Sequence, residues 1–123
     1  MARQPTPLSP YDEIRVEYHL KKAVAQGSSQ AHNDYAWLLA TSKWADLRNG
    51  TLAIRHAQQA LEHQSNPAYL DTLAAAYAEN GQFAEAIATQ LQALQLLTEQ
   101  DLDLRTELEN HLNWYERSEP WRE

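Results

Sequence analysis

The sequence predicts an all-α chain of about six helices paired into antiparallel hairpins, from three observations. Apolar residues recur at helical spacing in most segments that lie between turn signals. Only three glycines and five prolines interrupt the chain, and most stand where a helix would start or stop. The chain also repeats itself: at a shift of 33 residues, Ala53, Ile54, Ala60 and Leu61 fall on Ala86, Ile87, Ala93 and Leu94. A period of that length dictates architecture.

Taken in order, residues 1–9 hold two of the prolines and read as a flexible N-terminal arm, with order beginning near Pro10. Tyr11, Ile14, Tyr18 and Val24 then suggest a helix over 11–26, and Gly27 offers the left-handed residue that ends one. A second helix is expected over 29–41, capped by Ser29, with Tyr35, Leu38 and Leu39 as its apolar stripe. Residues 42–50 read as a loop closed by Asn49-Gly50, with Trp44 and Leu47 folding back onto the helices. A third helix follows from Thr51 to His63.

The next segment carries the strongest local signals. Asn66 is a good helix cap and Pro67 suits the first helical position, while Leu70, Leu73, Ala74 and Tyr77 share one face. Asn80-Gly81 closes that helix. Phe83, Ala86, Ile87, Leu91 and Leu94 then mark another buried face, ending near Thr98, and so short a turn forces the two helices to lie antiparallel. A last helix over 101–117 has acids in its first turn, Leu104, Leu108, Leu112 and Tyr115 on one side, and Pro120 beyond its end.

Within residues 66–98, Leu70, Leu73, Ala74, Tyr77, Gly81, Phe83, Ala86, Ile87, Ala93 and Leu94 resemble the tetratricopeptide repeat in identity and spacing. Residues 29–64 look like a second copy, with Tyr35 and Ala36 in the places of Leu73 and Ala74 and an enlarged loop around Trp44. The helix over 101–117 resembles the capping helix of such arrays. The resemblance implies a short right-handed solenoid, with one domain over 10–117 and a C-terminal tail over 118–123. It also implies a concave groove, lined by the first helix of each repeat, that receives a peptide or a partner helix. By alignment Asn33, Trp37, Ala40, Ala68, Asp71, Ala75 and Ala78 would face that groove, with Trp37 as its anchor. Family members that hold C-terminal carboxylates use lysine and arginine there, and those positions here are Asn33, Asp71 and alanines.

Composition narrows the function further. Of the 123 residues, 43% are apolar, enough for one core without metal or disulfide help, and cysteine is absent. The net charge of −7 is uneven, about +2 over residues 1–55 and −9 over 56–123. The acidic half repels phosphate backbones, so nucleic acid is not an expected partner. No run approaches the roughly 18 apolar residues of a membrane span, so no membrane insertion is expected; the chain reads as soluble and is assigned to the cytoplasm, with the periplasm left open because both tolerate cysteine-free proteins.

Nothing in the sequence assembles a reaction centre. His56 and His63 share a helix but lie about 10.5 Å apart along it, too far for one ion. His19, His32 and His111 meet only through tertiary folding, and no metal-binding spacing occurs. The serines sit near helix ends, where hydroxyls cap. The expectation is therefore a non-catalytic binding scaffold with no cofactor, no metal and a protein or peptide partner. The alternatives are a structural module that self-associates into a homodimer, and an enzyme built from His32, His56 and nearby acids.

Overall fold

A computed structural model describes residues 10–123, with side chains from Ile14 onward; the arm over 1–9 and the side chain of Tyr11 lie outside the described residues. These residues form α1 (Pro10–Val24), α2 (Ser29–Thr41), a 3-10 turn (Ala45–Leu47), α3 (Gly50–His63), α4 (Pro67–Glu79), α5 (Phe83–Gln95) and α6 (Leu102–Glu116), with no strand among them. Each helix start has a local cause. Ser28, one residue before the expected cap, accepts the Ala31 N–H, Asn49 accepts that of Leu52, and Asn66 accepts that of Tyr69 ahead of Pro67.

Gly81 closes α4 at φ +78°, with Gly81 N–H donating to Ala78 O and Gln82 N–H to Tyr77 O. Both bonds satisfy carbonyls that the helix end leaves unpaired. Ser118 does the same at φ +57° after α6, where its N–H and that of Glu119 bond Tyr115 O and Trp114 O. That turn sends the chain back across the molecule.

Small residues set the packing. Ala53, Ala57 and Ala60 of α3, Ala74, Ala75, Ala76 and Ala78 of α4, and Ala86 and Ala93 of α5 are buried to 2% exposure or less. This lets backbones approach closely, and α2 packs on α3, α3 on α4 and α4 on α5, with α2 also meeting α4 and α6 covering α5. Tyr35 and Leu39 fill one cluster, Leu70 and Leu108 another, and Tyr115 a third. The loop residues Trp44 and Leu47 are half-buried.

Two expected faces differ from the structure. Ile14 and Tyr18 are 55% and 63% exposed, because α1 meets the body through Leu20 and Val24 instead. Leu91 is also exposed, while Gln90 beside it is fully buried, because α6 covers that side of α5 and offers Gln90 the carbonyl of Leu108 at 2.9 Å.

Candidate functional site

Between α2, α4 and α6, with α1 along one side, runs a groove of about 720 Å³. Val16 and Leu20 of α1, Trp37 and Leu38 of α2 and Leu104 of α6 supply its apolar walls. Asp34, Glu107 and Glu123 supply its polar edge and Asp71 part of its floor, and among the described residues no lysine or arginine lines it. A cationic group entering the groove therefore meets only negative or neutral surroundings, and the apolar walls reduce screening by water.

Of the residues expected to face this groove, Asn33, Trp37, Ala68 and Asp71 line it. Ala40, Ala75 and Ala78 do not: all three are at most 2% exposed. Ala40 and Ala75 pack with Ala53 where α2, α3 and α4 meet, and Ala78 sits in a cluster with Tyr115 and Trp121. The helices lie too close together for these methyl groups to reach the surface.

Asp71 belongs to the floor of the groove and is engaged from below. Its Oδ1 accepts from Gln90 Nε2 and from His111 Nδ1, each at 2.8 Å, joining α4, α5 and α6 through side chains almost wholly buried. Tyr115, also fully buried, has its hydroxyl pushed well above its ordinary pKa, first by burial and then by the Asp71 charge. This network was not legible from spacing, since its members lie 18 to 40 residues apart.

Of the residues after α6, Glu123 reaches the groove, and those before it pack beside it. Trp121 lies 4.5 Å from the His111 ring, tilted at 48° to it, and edge-on to Trp114 at 5.9 Å. Arg122 Nη1 lies 2.6 Å from Glu79 Oε2, whose partner oxygen Oε1 is held by Arg48 Nε at 3.3 Å. The Glu123 N–H donates to Thr41 O at 2.9 Å, and the indole N–H of Trp37 donates to Glu123 Oε1 at 3.0 Å. Trp37 is thus a half-buried groove residue tied to this segment. The one sequence signal for the segment is a tryptophan and an arginine placed just past Pro120.

On the far side of α2, folding brings His32 and His56 together. Their Nδ1 atoms are 2.9 Å apart and their rings stack, with Tyr35 stacked on His56 at 4.8 Å. At that distance one imidazole donates and the other accepts, so the acceptor is neutral. Among the described residues no third histidine, cysteine or carboxylate joins them in a metal-holding group. Burial pushes the Tyr35 hydroxyl up to about 12, with a further contribution from Glu17.

The pair carries a pH prediction. Burial, then the charges of His32 and Arg55, hold the His56 pKa below its ordinary value. In the unfolded chain the same group takes its proton near pH 6.5. Below that pH the unfolded state binds more protons, so stability falls as pH drops from about 6.5 through the lower folded value. The thermal midpoint is expected to be lower near pH 5.5 than at pH 7.5, with a smaller drop in His56→Gln. Equal drops in both proteins would refute the assignment.

No helix among the described residues is long and apolar enough to cross a membrane. Compared with protein-family models, with curated proteins and with solved structures, the chain matches none of them.

Proposed function

We propose that the chain is a protein-interaction module of the tetratricopeptide-repeat kind, without a reaction of its own, whose groove between α2, α4 and α6 holds a peptide or helix. The observation that carries the reading is a groove of about 720 Å³ with apolar walls and acidic edges. The order of helix contacts, each helix on the next and α2 also on α4, supports the repeat architecture. Such a groove favours a segment that presents apolar side chains on one face and lysine or arginine beside them.

The test uses a fluorescently labelled amphipathic helix of leucine and lysine and a matched one of leucine and glutamate, titrated into the full chain by anisotropy. The lysine peptide is expected to bind, more weakly as salt is raised, and the glutamate peptide is not. Trp37→Ala is expected to weaken the lysine peptide about thirtyfold, the equivalent of a 2 kcal/mol anchor. Equal binding of the two peptides, or no effect of Trp37→Ala, would overturn the reading.

The self-associating alternative draws on one observation, the exposure of Ile14 and Tyr18, one turn apart on α1. Light scattering over a hundredfold concentration range separates the two: a mass that doubles with concentration favours self-association, and a constant monomer mass disfavours it.

A further inference from the structure

The contacts of residues 119–123 describe a ligand as well as a fold. α2 ends at Thr41, and the last carbonyls of a helix have no partner within it and carry its negative dipole end. Two of them are met here from outside the helix. Arg122 Nη1 reaches Ala40 O at 3.5 Å and the Glu123 N–H donates to Thr41 O at 2.9 Å.

Beside this helix end stands Glu79, with one carboxylate oxygen held by Arg48 and the other turned to Arg122. Arg48 comes from the loop before α3 and hydrogen-bonds Ser42 O at 2.7 Å, so it orients Glu79 without help from the segment after α6. The outer oxygen and the helix end together form a preformed seat for a cation. Next to it the rings of His111 and Trp114 contact Trp121, one tilted and one edge-on, and so line a place for an aromatic side chain.

Resting on the reading of the groove as a peptide-binding surface, we propose that this seat recognises an extended segment in which a large aromatic residue is followed by a basic one. In this chain its own Trp121-Arg122 fills the seat, in exchange with the same chemistry from another polypeptide. Two features favour exchange over permanent closure. The Trp121 indole nitrogen is buried without a hydrogen-bond partner, so the segment is not fully satisfied where it lies. Arg122 is 33% exposed at its side chain, which leaves water a route to its ion pair.

The segment holds the seat because its attachment to α6 makes binding intramolecular, with an effective concentration in the millimolar range. A free competitor therefore binds weakly until the attached segment is released.

The test uses the full chain and its double variant Trp121→Ala/Arg122→Ala, which empties the seat and substitutes no residue of a helix. The probe is a labelled hexapeptide, Ser-Glu-Pro-Trp-Arg-Glu, followed by anisotropy with far-UV circular dichroism as the folding control. The double variant is expected to bind the hexapeptide at least tenfold more tightly than the unchanged chain. Adding Glu79→Gln is expected to remove at least tenfold of that affinity, and a hexapeptide with alanine in place of tryptophan and arginine is not expected to bind.

A helical double variant that fails to bind, or that binds no better than the unchanged chain, would overturn the proposal. If the double variant does not fold, amide exchange of the unchanged chain decides. Exchange of the Glu123 amide at least tenfold faster than the buried amides of α4 supports independent release, and equal protection overturns it. Failure of the hexapeptide while the leucine-lysine helix still binds in a Trp37-dependent way would sink this proposal alone.

Discussion

Asp71→Ala is expected to cost about 3 kcal/mol of stability, because it strips a buried acceptor from two donors at once. His111 loses the one partner that its Nδ1 has among the described residues, while Gln90 keeps Leu108 O but loses its second acceptor. Both residues are at most 1% exposed, so water does not replace the missing oxygen without opening the junction of α4, α5 and α6. Chemical denaturation checks the value, and the thermal midpoint is expected to fall by about 10 °C. Asp71→Asn, which keeps an acceptor oxygen of similar size, is expected to recover at least half of the loss. A cost below about 1 kcal/mol for the alanine variant would show that the network contributes little to holding α6 in place.

The second large effect is at Gly50, the first residue of α3. A β-carbon there would lie 2.8 Å from the backbone nitrogen of Asn80 and 2.9 Å from its Cα, where α4 ends. Backbone atoms do not rotate away as a side chain does, so the start of α3 and the end of α4 must separate. Overpacking of this kind typically costs 1–3 kcal/mol, of which the gain from alanine in a helix returns less than about 1 kcal/mol.

Gly50→Ala is therefore expected to be about 2 kcal/mol less stable than the unchanged chain. Gly81→Ala is the useful comparison, since its site is open space and its strain comes from a φ of +78° alone. The cost there is expected to be about 1 kcal/mol. If Gly50→Ala unfolds at the same denaturant concentration as Gly81→Ala, the close contact is not what matters at residue 50.

Some of the candidate site was legible from residue types and spacing. Trp37, Asn33, Ala68 and Asp71 stand at helical positions that do line the groove, because the order of helices and the direction of α2 and α4 follow from local capping and periodicity. Ala40, Ala75 and Ala78 were misplaced for a physical reason. Spacing defines which side of a helix a residue occupies, but the depth at which that side meets its neighbours depends on interhelical distance, and alanine-lined helices approach closely enough to bury all three.

The sequence alone determined the six helices and the caps at Asn66 and Gly81, because each rests on interactions between residues a few positions apart; the expected ends near 26 and 98 overrun α1 and α5, which stop at Val24 and Gln95. It did not determine where Gln90, His111 and Trp121 go. Gln90 is buried and Leu91 exposed against their hydropathies, since α6 brings the Leu108 carbonyl and a histidine to one side of α5.

The docking of Trp121 and Arg122 likewise needs four separated groups at once: the end of α2, Glu79 of α4, Arg48 of the loop before α3 and His111 of α6. No local pattern encodes such a meeting. It exists only after the helices have packed, when unpaired carbonyls and a half-satisfied carboxylate are left facing the space into which Ser118 turns the chain.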